Sequence, residues 1–180
     1  MKLVPTLLLV SALVSTATVF AQERQRVSPH ETVNAEIGGN EISVVYGRPF
    51  TKDPKSGEKR KVWGTLVPYG KVWRMGADEA TLLTTKKPLQ FGSSTVPAGT
   101  YSLFLLPSEE GAKLVVNKQT GQWGTRYDES QDLVRVDLKK SATDEAIDQF
   151  TIEIAEAKDG GVLQIMWENT QFSAPFTVAK

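Results

Sequence analysis

Period-two alternation of apolar and polar positions dominates the chain from residue 30 onward. Val33, Ala35 and Ile37 fall on one face, with Thr32, Asn34 and Glu36 on the other. After Gly38-Gly39-Asn40 the pattern resumes at Ile42, Val44 and Tyr46, which predicts a β-hairpin. Short strands follow at residues 82–85 and 89–91. Pro97-Ala98-Gly99 then turns the chain into residues 100–106, a run apolar on both faces, as expected of a central strand covered on both sides. Further strands are expected at residues 113–117, 133–138, 150–155, 162–167 and 172–178, with Asp159-Gly160-Gly161 as a hairpin turn and Pro175 suited to an edge strand. Residues 143–148 are the helical candidate, where Thr143 could cap a single turn. Together these elements predict an all-β chain: an antiparallel β-sandwich or distorted barrel of about nine strands, with at most one short helix.

The first residues break the alternation. Lys2 precedes an uncharged, apolar or small run over residues 3–20, and Val19-Phe20-Ala21 offers a cleavage site, so residues 1–21 read as a secretory signal peptide. Pro5 and the hydroxyls of Ser11, Ser15, Thr16 and Thr18 make the same run a weak permanent anchor. Residues 22–27 are polar and charged, a flexible leader, and residues 28–180 form one domain without repeats or linkers. The protein is expected to be exported, periplasmic or secreted, with no membrane span after cleavage.

Charge and cysteine count narrow the function classes. Removing residues 1–21 takes away one basic residue, Lys2, and leaves 20 basic against 21 acidic, a net charge of −1. That balance argues against nucleic-acid binding, which uses clustered excess Lys and Arg. With no Cys, an exported chain must rely on its core for stability rather than on disulfides.

One stretch has neither periodicity. Residues 62–81 hold Trp63, Tyr69, Trp73, Arg74, Asp78 and Glu79 among three Gly, a composition that specific contacts must hold in shape. The landmarks around it are Ser28-Pro29-His30-Glu31, Val45-Tyr46-Gly47-Arg48-Pro49, Val67-Pro68-Tyr69-Gly70, Trp73-Arg74, residues 76–81 and residues 97–104. In this order they resemble the secreted bacterial family called domain of unknown function 2911. The resemblance implies a β-rich exported domain and carries no catalytic assignment.

The candidate chemistry is confined to a few side chains. His30 is the one histidine, so any Ser-His-Asp arrangement would have to use it. One His and no Cys leave no N/S zinc site, and no metal or cofactor is expected. The acidic run over residues 128–132 offers oxygen ligands but lacks the glycine turn and terminal glutamate of a helix-loop-helix calcium site; it reads as a solvated loop. Arg48 and Arg74 carry planar donors suited to carboxylates or phosphates and lie near Trp63, Tyr69 and Trp73, which could stack on a carbohydrate or another flat ligand. An internal salt bridge from Arg74 or Arg48 to Glu79, pinning the irregular stretch to the sandwich, is the competing reading. Three functions follow: a non-catalytic domain binding a small molecule, a carbohydrate or an envelope partner; a hydrolase-like enzyme with Glu79 or Asp78 as acid/base and His30 or Arg74 assisting; or a structural envelope component. The burial of these groups separates them.

Overall fold

The computed structural model describes residues 26–179. The expected signal peptide and most of the leader lie outside the described residues. Nine strands form one antiparallel sheet: β1 (His30–Ile37), β2 (Asn40–Gly47), β3 (Ala77–Thr85), β4 (Leu89–Phe91), β5 (Ser94–Val96), β6 (Gly99–Pro107), β7 (Ala112–Asn117), β8 (Asp132–Ala157) and β9 (Gly160–Val178). Their spatial order is β1-β2-β3-β6-β7-β8-β9-β4-β5, and the sheet does not close. The only helical element among the described residues is a 3₁₀ turn at Glu129–Gln131. None of their helices is long and apolar enough to cross a membrane.

The sheet folds over itself because β8 and β9 are long and bent. Residues 143–148, expected as a helical turn, lie inside β8, where the register to β9 shifts between Ala142 and Ile147 and again between Ile147 and Thr151. Thr143 Oγ1 donates to the Glu145 carbonyl (2.7 Å) and the Glu168 carbonyl (3.2 Å) instead of capping a turn. Six residues barely nucleate a helix, and the neighbouring ladder satisfies the backbone better. Glu168 on β9 takes φ +52°, marking the same bend on the partner strand. The bend also merges the expected strand pairs 133–138 with 150–155 and 162–167 with 172–178. Pro175 sits where β9 has left its β8 partner at Ser173 and not yet met β4 at Thr177, so its missing N–H costs no ladder bond.

The bend carries Phe150, Ile152, Ile165 and Trp167 across the face of β2, β3, β6 and β7, burying them against Val44, Tyr46, Leu83, Leu105 and Leu114. Tyr46 meets Phe150 edge-to-face at 5.8 Å, and its hydroxyl accepts from the Ile152 N–H at 3.0 Å. In β6, Leu103 and Leu105 enter this core, while Phe104 enters a smaller cluster with Ala80 and Val115 on the other face. The two-faced apolar run is thus covered on both sides. The first hairpin also matches its expectation: Gly38 and Gly39 alone connect β1 to β2, with φ +58° and +67°, the left-handed pair of a type I′ turn.

Candidate functional site

The irregular segment, residues 48–76, leaves β2 and returns as β3. It docks where β3 stops pairing with β6. The β3–β6 register runs only from Thr81↔Leu103 to Thr85↔Gly99. Beyond it Trp73 takes over as the neighbour of Leu105, exchanging two backbone hydrogen bonds of 2.8 Å. The start of β3 pairs elsewhere: the Ala80 N–H donates to the Gln122 carbonyl (3.2 Å) and the Gly124 N–H to the Asp78 carbonyl (2.9 Å). Asp78 adopts φ +63° and Met75 φ +52°. Left-handed backbone at non-glycine residues costs on the order of 1–3 kcal/mol and clusters at functional positions.

Two glycines make this packing possible. A Cβ on Gly124 would lie 2.3 Å from the Arg74 side chain, which crosses that residue. One on Gly47 would lie 2.5 Å from the Ala77 carbonyl oxygen and 3.0 Å from His30 Nε2. Both replace a side chain by a close approach that positions a candidate residue.

Beneath the segment lies a cavity of about 280 Å³. Trp73, Phe50, Leu66 and Trp167 supply apolar wall, and Lys52, Arg60, Arg74 and Asp78 supply charge. Arg60 pairs with Asp53 at 3.8 Å, which leaves Lys52 and Arg74 as the lining cations without an ion-pair partner among the described residues. Arg74 Nε donates to the Gly76 carbonyl at 3.1 Å, and Arg74 forms no salt bridge among the described residues. Trp73 stacks on Trp167 at 5.7 Å with 21° between the rings. Trp167 is 1 % exposed, and its indole N–H has no partner among the described residues. A buried donor without an acceptor is uncommon and calls for an explanation.

The family model described as "Protein of unknown function (DUF2911)" matches residues 28–176. The chain belongs to this DUF2911 family. No curated protein and no solved structure matches it.

Of the eight residues proposed from sequence, Trp73, Arg74 and Asp78 line the cavity of this DUF2911 domain. Trp63, Tyr69 and Arg48 are not among its lining residues. Trp63 is 7 % exposed, edge-to-face with Phe172 at 5.1 Å and Trp167 at 6.4 Å, and its N–H donates to the Trp167 carbonyl at 3.2 Å. Burying so large an apolar surface outweighs leaving it open for stacking. Tyr69 is half-buried against the same core and lies over Gly64. Arg48 is a strut: it pairs with Glu31 and donates to Thr151 Oγ1 (2.8 Å) and the Phe150 carbonyl (3.1 Å), tying the end of β2 to β8.

The expected bridge from Arg74 or Arg48 to Glu79 is absent among the described residues. Glu79 is held by Arg26 through two bonds of 2.8 and 2.9 Å. His30 Nε2 lies 3.3 Å from Asp78 Oδ2 and 3.6 Å from Glu79 Oε2, so His30, Asp78 and Glu79 converge beside the cavity wall that Asp78 forms.

Sequence reasoning missed Arg26, which it placed in a featureless leader, and the cavity residues Phe50, Lys52, Arg60, Leu66 and Trp167. The charges of residues 51–61 were visible, but nothing in the sequence showed that this loop folds over Trp73. The acidic run over residues 128–132 is solvent-exposed at residues 128–130, as expected, while Asp132 at its end is engaged. Arg135 donates to Asp132 (2.7 Å) and Glu129 (2.6 Å), and Tyr127 donates to Asp132 at 2.7 Å. Burial, followed by the hydrogen bond to Asp132, pushes the Tyr127 hydroxyl up to about 12.

Proposed function

We propose that this is an exported, non-catalytic binding domain whose cavity takes a small acidic molecule, a carboxylate or phosphate ester of roughly monosaccharide size. One observation carries the reading. A cation-rich, aromatic-walled hollow is lined in part by Trp167, whose buried N–H has no acceptor in the described protein. An anionic ligand would offer its oxygens to Arg74 and Lys52 and lay its body against Trp73. Export rests on the apolar, uncharged run behind Lys2 and the small residues at its end. An envelope partner presenting such a group would use the same contacts.

The hydrolase-like reading draws on the convergence of His30, Asp78 and Glu79. It stands second, because Arg26 occupies both Glu79 oxygens.

A thermal-shift screen of sugar acids, hydroxy acids, phosphate esters and their neutral counterparts tests the proposal. Acidic compounds should raise the melting temperature and neutral counterparts should not. Lys52→Ala and Arg74→Ala should abolish the shift while their unliganded melting temperatures fall by a few degrees at most. Equal shifts from neutral compounds, or shifts surviving both substitutions, would refute it.

A further inference from the structure

We propose that His30, Asp78 and Glu79 bind a divalent transition-metal ion of the zinc class, and that the Arg26 guanidinium is an internal cation competing for the same place. The inference stands apart from what fills the cavity. The donor set is one imidazole from the start of β1 and two carboxylates from β3, with ligand atoms all within 4.8 Å of one another. Imidazole with carboxylate oxygens suits zinc and its first-row neighbours. The absence of a second His or a Cys, which argued against an N/S site, does not bear on a nitrogen-and-oxygen site.

Two of the three separations fit a shared cation. Donors about 2.1 Å from a tetrahedral ion stand about 3.4 Å from one another. The two imidazole–carboxylate distances, 3.3 and 3.6 Å, fall on either side of that value. An N–H···O hydrogen bond between the same groups would favour about 2.9–3.0 Å, so the 3.3 Å contact to Asp78 is a long one.

A cation already stands there. Arg26 Nη1 is 2.7 Å from both ring nitrogens of His30 and 2.9 Å from Glu79 Oε2, with Nη2 2.8 Å from Glu79 Oε1. With the imidazole neutral, the carboxylates bring two negative charges. One guanidinium leaves one of them uncompensated, and a divalent ion would leave none. Arg26 is 47 % exposed and precedes the first strand, so it can swing out to solvent.

The backbone that carries the three donors is also fixed in advance. His30 pairs with Gly47, whose missing side chain leaves room for the ring. Asp78 and Glu79 are held by backbone pairing to Gly124 and Trp123. Three protein ligands leave a fourth position open, the pattern of metal sites that bind water or a substrate. Asp78 also lines the cavity, so the cluster adjoins the hollow.

The test is titration of untagged, chelator-treated protein with Zn²⁺, followed by calorimetry and by elemental analysis after gel filtration. One equivalent should bind. His30→Ala and Asp78→Asn should each weaken binding by at least about 100-fold, and Arg26→Gln should tighten it several-fold. Asparagine tolerates the left-handed backbone at residue 78, so Asp78→Asn tests ligation without a change of fold. No stoichiometric uptake, several weak equivalents indifferent to His30→Ala and Asp78→Asn, or weaker uptake by Arg26→Gln would each overturn the proposal.

Discussion

Two clusters in this protein gather carboxylates around an arginine, and they differ in how the chain brings them together. In the first, Asp128, Glu129, Asp132, Tyr127 and Arg135 come from one short stretch. The carboxylate of Asp132 accepts from Asn117 (2.9 Å), from Tyr127 (2.7 Å) and from Arg135 twice (2.9 and 2.7 Å). Asp128 caps the 3₁₀ turn by accepting from the Ser130 N–H. In the second, Arg26, His30, Asp78 and Glu79 converge from separate elements, Asp78 holds left-handed backbone, and its carboxylate meets His30 only at 3.3 Å. A local cluster with its oxygens engaged serves the fold. A long-range cluster held in left-handed backbone, whose cation is the exposed Arg26, can exchange that cation for another.

Several measurements break or sharpen this contrast. The largest expected effect is stabilisation by metal. Zn²⁺ at 100 times its dissociation constant should add about 2.7 kcal/mol, raising the melting temperature by roughly 5–11 °C for a domain of this size. Thermal denaturation with and without the ion checks this, and Asp78→Asn should show no rise. Next comes Asp132→Asn, which weakens charge-assisted hydrogen bonds to a half-buried carboxylate and should cost about 1.5–3 kcal/mol in chemical denaturation.

A smaller effect concerns Tyr127. Burial raises its folded pKa to about 12, above the 10.0 of an ordinary tyrosine hydroxyl, so the folded state favours the neutral phenol. Its contribution to stability is therefore complete below pH 10 and lost as pH rises through about 12. Tyrosinate absorbance of the wild type minus that of Tyr127→Phe should show one residue titrating near the upper value. The smallest effect is that of Asp78→Asn on the metal-free protein, expected to stay within about 0.5 kcal/mol, as for a partly exposed ion pair.

The sequence disclosed regular structure better than it disclosed the site. The run through Leu103, Phe104 and Leu105 announced a strand covered on both faces because side chains alternate strictly with a period of two. Residues 143–148 misled because their polar, capping-like composition describes local preference, whereas the pairing around them, Ala142 with Thr170 and Ile147 with Glu168, is set by a strand distant in the chain. Trp63 and Trp73 could not be told apart: both are indoles in an aperiodic stretch, and only tertiary packing sends one inward and leaves the other on a cavity wall. Arg26 was illegible for a simpler reason, since a single charge in a polar segment has no pattern to read.

The claim that the two clusters have different purposes is tested most directly by measuring melting temperature and zinc uptake of Asp78→Asn and Asp132→Asn side by side. Asp78→Asn should melt like the wild type and lose the ion, while Asp132→Asn should melt several degrees lower and keep it. If Asp78→Asn melts lower and zinc uptake is the same in both variants, the convergence at His30 is a structural ion pair like the other.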